Sequence, residues 1–229
     1  MPTFAGNFSA DGYSHDTQVV SYTGPDSNYV GQEIAFNSNE DTLTIVNVTD
    51  KSNMTQLSRV GYSGAEYVHQ GWLSEDQRFF FMNDELDEYR SDDPMNTRTR
   101  VWDVSDLENP VLLGFHSGEK TTIDHNLYVK GDYIFQANYT SGLRVLKIND
   151  AASLDFEEWG YFDTYGDDDN VTFNGAWSVY AFFESGSILV SDRQNGLFVL
   201  SAVPEPSSLS FLGLTSLALC LRRRRSVAA

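Results

Sequence analysis

The sequence predicts an all-β protein: a β-propeller-like array of about four four-stranded blades, part of a larger propeller, followed by a C-terminal hydrophobic helix. Three observations predict it. Strand-forming pieces of the same kind return in the same order between residues 13 and 201, turn-forming dipeptides separate them, and no useful length of helical periodicity interrupts them.

The first recurring piece is a strand ending in a polar turn: Thr44 to Asp50 (TIVNVTD), Arg100 to Asp106 (RVWDVSD) and Arg144 to Asp150 (RVLKIND). Apolar and polar residues alternate in each, as on a half-buried strand. A fourth copy, Leu197 to Ser201, stops short. Upstream lies a second piece, His69-Gln70-Gly71-Trp72, His125-Asn126-Leu127-Tyr128 and Asn174-Gly175-Ala176-Trp177, with His15 and Gln18 as a degenerate copy. Between them comes another strand (Arg78 to Met82, Tyr133 to Ala137, Ser187 to Ser191), and after the polar turn a fourth (Val111 to Phe115, Trp159 to Phe162). Lys130-Gly131-Asp132, Ser141-Gly142 and Asn195-Gly196 supply the turns.

Four short strands in roughly 45 to 55 residues is the spacing of a propeller blade. The turn aspartates Asp50, Asp106 and Asp150 stand 56 and 44 residues apart, and the acidic run Asp84 to Pro94 accounts for the longer interval as an insertion between strands. A β-sandwich with irregular loops is the competing fold, disfavoured by the recurring strand order. Residues 1–202 form this domain. The last unit reaches only three strands, and a closed propeller commonly completes such a blade with N-terminal sequence.

Residues 203–226 read differently. Leu209 to Leu221 is thirteen residues without a charge, followed by Arg222, Arg223, Arg224 and Arg225. A spanning helix needs about 20 apolar residues, so the segment is short, but no polar face recurs as in a buried amphipathic helix. The arginines keep the end cytoplasmic and place the body outside. A helix from about Ser207 to Arg225 is expected. Just before it, Val203, Pro204, Glu205 and Pro206 form an extended segment that a processing enzyme can grip. This order of Pro-Glu-Pro, short apolar run and arginine cluster closely resembles the PEP-CTERM sorting signal of Gram-negative bacteria. The resemblance implies an exosortase-type processing enzyme as partner, inner-membrane anchorage before cleavage, and delivery to the cell surface or extracellular matrix. Cys220, the only cysteine, would leave with the tail. Met1 to Tyr13 lacks a basic segment and an apolar run, so a signal peptide is expected upstream of this start.

The protein carries a net charge of −18; setting aside Glu205 and the four arginines leaves 32 acids and 11 bases, a net −21. Such a body repels nucleic acid and anionic headgroups. A salt-adapted, solvated surface is the preferred account. Residues 14–26, 39–50, 67–72, 83–88, 124–146 and 173–180 together resemble the choice-of-anchor B family, whose repeats are of the LVIVD class. That resemblance implies an extracellular domain joined to interchangeable C-terminal anchors, longer at its N-terminus, with no established activity.

His15, His69, His125 and Asn174 occupy equivalent repeat positions, expected at the channel or between blades. Pairing between blades is preferred over a ring of imidazoles that binds metal or acts as general base. His116, without a repeat partner, is expected at the surface. Trp72, Trp102 and Trp177 are expected to pack in the core. Asp84 to Asp93 and Asp163 to Asn170 are dense enough in carboxylates for Ca²⁺ but lack EF-hand spacing, so solvated loops are preferred. No nucleophile elbow, phosphate-binding loop or zinc pattern occurs. Asn7, Asn47, Asn53, Asn138 and Asn170 begin sequons of little weight in a bacterial context. The expectation is therefore a non-enzymatic module without cofactor or resident metal that binds extracellular polysaccharide or a surface protein. The alternative is an extracellular hydrolase or lyase with its site at the channel mouth.

Overall fold

The computed structural model describes residues 1–202; Val203 to Arg225, with the expected hydrophobic helix, lie outside the described residues. Among the described residues, no helix is long and apolar enough to cross a membrane.

Consecutive strands make every sheet, and all pairs are antiparallel. The first sheet holds β1 (Asp16–Ser21), β2 (Glu33–Ser38), β3 (Thr42–Asn47) and β4 (Thr55–Gly61). The second holds β5 (Val68–Leu73), β6 (Phe79–Asp84), β7 (Arg98–Asp103) and β8 (Val111–Ser117). In the third are β9 (Asn126–Lys130), β10 (Tyr133–Ala137), β11 (Leu143–Asp150) and β12 (Asp155–Phe162). The fourth has three strands, β13 (Ala176–Tyr180), β14 (Ser187–Asp192) and β15 (Gly196–Ser201). Among the described residues the one helix, α1 (Asp87–Arg90), is short and lies in the insertion between β6 and β7. The arrangement is all-β and propeller-like.

The core is divided rather than shared, which separates this fold from a two-sheet sandwich. Ile34, Phe36 and Leu43 meet Phe80, Met82 and Trp102 between the first and second sheets. Phe79, Phe81 and Val101 meet Leu127, Val129 and Ile134 between the second and third, and Leu143 and Val145 meet Val179 and Val190 between the third and fourth. Strand β6 is covered on both faces, which is why its sequence, FFFMND, is apolar without alternation. Gly71 of β5 gives room for that packing, since a Cβ there would come within 2.4 Å of the Phe80 ring and 2.6 Å of the Phe81 carbonyl oxygen. Gly71→Ala is expected to lower stability by about 1–3 kcal/mol, read as a lower urea midpoint at unchanged slope.

Two regularities connect the repeats. A β-bulge falls at the same place in three sheets, between Ile45/Val46, Val101/Trp102 and Val145/Leu146. It leaves Leu57, Leu113 and Trp159 as the extra residues of the outer strands and increases local twist. Adjacent sheets are also tied by bridges from an inner turn to the next first strand, Glu40 to Val68 and Tyr139 to Ala176. Gly175, at φ 90°, admits the Tyr139 carbonyl, which would lie 2.3 Å from a Cβ. In the second sheet the insertion replaces the bridging turn. There the Asp124 carboxylate accepts from Arg98 N at 3.1 Å, and Asn83 Nδ2 donates to the His125 carbonyl at 3.3 Å.

The acidic insertion departs from the solvated loop expected of it. Asp92 and Asp93 are exposed, but Asp84, Asp87 and Glu88 are buried. Asp84 accepts from Tyr62 Oη at 2.5 Å and from the amides of Glu66 and Tyr67, while Asp87 pairs with the buried Arg100 at 2.6 Å. The reason is local: the start of the insertion lies beside the β4–β5 connection, whose hydroxyl and amides Asp84 caps, and beside β7, whose Arg100 pairs with Asp87. The second acidic run, Asp163 to Asn170, is exposed apart from Thr164 and Tyr165, with Asp169 paired to Lys120 at 2.7 Å. His116 is half-buried, its ring 5.3 Å from Phe156, because alternation along β8 turns it toward the third sheet. Burial lowers its pKa. Trp102 is in the core and Trp72 is half-buried, but Trp177 is 44% exposed, since β13 turns it out of the fourth sheet's interface.

Candidate functional site

The first strands of the four sheets, β1, β5, β9 and β13, lie side by side. Equivalent residues near their starts are therefore brought together. The imidazoles of His15 and His69 stand 4.2 Å apart, those of His69 and His125 4.2 Å, and the Trp177 ring follows His125 at 4.6 Å. Backbone contacts fix this ladder. His15 Nδ1 is 2.9 Å from the carbonyl oxygen of His69, and His125 Nδ1 is 2.6 Å from that of Trp177. A carbonyl oxygen only accepts, so both Nδ1 atoms carry the proton. Two glutamines repeat the tie one turn on, Gln18 accepting from Leu73 N and Gln70 from Leu127 N, each at 2.8 Å.

His69 departs from the pattern, because its Nδ1 has no hydrogen-bond partner. The His125 carbonyl, the counterpart of the acceptors that His15 and His125 use, accepts from Asn83 Nδ2 at 3.3 Å. Asn174, the fourth residue of the series, stands outside the ladder. It accepts from Gln194 at 2.7 Å and donates to Tyr165 Oη at 3.3 Å. Trp177 takes its place.

Glu85, immediately after β6, faces two rungs at once. Its Oε2 lies 3.7 Å from His69 Nε2 and its Oε1 3.6 Å from His125 Nε2. Tyr139 Oη donates to Oε1 at 2.5 Å. Among the described residues, His69, Glu85 and His125 are a convergent donor group, with one ligand atom from each lying within 4.8 Å of the others. Burial keeps the imidazoles neutral: it takes His69 down to about 2, helped by the neighbouring histidines, and His125 down to about 4. Burial also raises the Glu85 carboxyl, against the lowering effect of the Tyr139 hydrogen bond. The group opens to solvent through a cup bordered by His15, Asp16, Tyr67, Asn126 and Trp177.

The histidines were legible from the repeat, but Glu85 was not, being one carboxylate in a run of acids. Its signal lies in strand register: Val68 opposes Asp84, so the residue after Asp84 falls beside the start of β5.

Residues 202–225 match the PEP-CTERM protein-sorting motif. The motif indicates an exported protein, anchored at its C-terminus before processing by an exosortase. No curated protein sequence matches the chain. Among solved structures, a Lactobacillus plantarum protein aligns over 75% of this chain and 51% of its own at 21% identity, with a TM-score of 0.58. A periplasmic gluconolactonase from Pseudomonas aeruginosa aligns over 79% of this chain and 52% of its own at 13% identity, TM-score 0.54. A Bacteroides thetaiotaomicron protein of unknown function aligns over 87% and 47% at 10% identity, TM-score 0.50. The chain spans about half the length of these structures, and the likeness is one of fold.

Proposed function

We propose that this is a cell-surface binding module of the choice-of-anchor B kind, without catalytic activity of its own, which holds an extracellular polysaccharide at the inner-strand cup. The observation that carries the reading is the exposed Trp177 ring on the rim of a cup whose lining also offers hydrogen-bonding groups, among them Asn126, Asp16 and His15. A flat apolar face beside hydrogen-bonding groups suits a sugar ring, which is apolar on its faces and polar at its edge. Tyr89 and Phe173, 5.0 Å apart, continue the aromatic surface, and Phe173 lies 5.4 Å from Tyr139. The strongly acidic body favours a neutral or amino-bearing polymer over an anionic one.

Trp177→Ala is expected to weaken binding by about tenfold or more in affinity electrophoresis against neutral and amino polysaccharides, with stability nearly unchanged. Equal retardation of wild type and variant by every polymer would overturn the assignment of the cup. The gluconolactonase neighbour supports the alternative, a hydrolase or lyase at the same mouth. Turnover of an aldonolactone, lost with Trp177→Ala or His125→Ala, would establish that alternative instead.

A further inference from the structure

Deepening the proposed ligand cup and resting on that reading for its biological use, we infer that His69, His125 and Glu85 bind a transition-metal dication of the Zn²⁺, Co²⁺ or Ni²⁺ kind at the floor of the cup. The argument is one of proton counting. His125 Nδ1 faces the Trp177 carbonyl at 2.6 Å and must carry the hydrogen. A neutral imidazole has one N–H, so Nε2 presents a lone pair, aimed at a carboxylate oxygen 3.6 Å away. That oxygen already accepts from Tyr139 and has no proton to offer. On the other side His69 Nε2 faces the second oxygen at 3.7 Å, and no contact at its Nδ1 draws the proton to either nitrogen. His125 Nε2 and the Glu85 oxygens thus present electron pairs to one point, and His69 adds a third ligand atom when its proton sits on Nδ1.

A proton relieves this only in part. Placed on Glu85, it would be given to one ring and leave the second ring facing the other carboxylate oxygen. A dication takes all three lone pairs together. Ligands about 2.1 Å from a tetrahedral ion lie about 3.4 Å apart; each imidazole is near that distance from its own Glu85 oxygen, and one atom from each residue falls within 4.8 Å, so an ion would draw the three side chains slightly together. Two imidazoles and one carboxylate favour Zn²⁺, Co²⁺ or Ni²⁺ over Ca²⁺ or Mg²⁺, which prefer oxygen alone. The surroundings are those of a ligand shell, with His125 Nδ1 held by a carbonyl and Glu85 by the Tyr139 hydroxyl. The open side toward Asn126 and Trp177 leaves a coordination position for water or a sugar hydroxyl.

The test uses the full chain in detergent, stripped with chelator and titrated with CoCl₂, then ZnCl₂, by absorption, calorimetry and thermal unfolding. One equivalent of cobalt should develop visible d–d bands that zinc bleaches. Zinc at a hundredfold excess over its Kd should raise the melting temperature by roughly 5–10 °C, while CaCl₂ does not. Glu85→Gln and His125→Ala should each abolish the bands and the shift; the near-isosteric glutamine variant keeps the test valid if the alanine variant folds poorly. Absence of bands in folded wild-type protein overturns the metal site and leaves the polysaccharide reading standing. Bands surviving in both ligand variants place the metal elsewhere and overturn it equally. Metal binding without any polysaccharide retardation would remove the functional reading and keep the site.

Discussion

Arg100→Met is expected to destabilise the protein by about 3–5 kcal/mol, among the largest losses any single substitution here would produce. Arg100 is buried on the face of the second sheet that looks toward the first, where its guanidinium meets Asp87 at 2.6 Å and Asp84 at 3.9 Å and stacks over Tyr62 at 4.5 Å. Glu88 and Asp124 are buried in the same region. Methionine would fill the volume of the arginine stem but leave Asp84 and Asp87 without a cation. The check is equilibrium urea unfolding at pH 7 followed by tryptophan fluorescence. A loss below 1 kcal/mol would mean that the acids are already neutral or solvated.

Glu88→Gln is expected to act in the opposite direction, and more strongly as pH rises. Glu88 is about 5% exposed, and neither of its carboxyl oxygens has a hydrogen-bond donor. Burial, then the nearby Asp124 and Asp87 carboxylates, push its pKa up to about 12. Asp124, wholly buried, is raised for the same first reason and by Asp87, with Arg100 opposing. A carboxyl whose folded pKa lies above its unfolded value of 4.5 keeps its proton in the fold while the unfolded chain releases it. The associated stability is therefore fully present below about pH 4.5 and lost progressively above it. Glutamine removes that titration. The variant should gain on the wild type by up to about 1.4 kcal/mol per pH unit between pH 5 and 8. Parallel stability curves for the two proteins would show that Glu88 is ionised in the fold.

The repeating frame was legible because its signal is local. RVWDVSD became β7 and its neighbours, and YIFQA became β10, because alternation and turn residues suffice to define a half-buried strand. The three-stranded last unit was legible for the same reason. What alternation cannot carry is contact between repeats. Asp84 and Glu88 read as ordinary loop acids, and the donors that bury Asp84 come from Tyr62, Glu66 and Tyr67, a segment no local pattern links to it. Trp177 matched Trp72 in the repeat, but the register places it at the bulge of β13 where β5 has His69, so it joins the imidazole ladder rather than the core. The imidazole ladder followed from equivalent positions; its meeting with Glu85 and Tyr139 joins the second and third units and leaves no pattern within either.

The strictly sequential strand order has a consequence for how the chain is made. Each strand pairs with the one translated just before it or just after, so a sheet forms its hydrogen bonds without waiting for distant sequence. A chain delivered N-terminus first across a membrane would then acquire its sheets one at a time. Each new sheet would cover the apolar face of its predecessor before the next arrived, keeping exposed edges short-lived during export. β15 ends at Ser201 and the sorting motif begins at residue 202. Assembly would therefore finish at the point where the exosortase acts, and cleavage there would release a domain whose last strand is already in place.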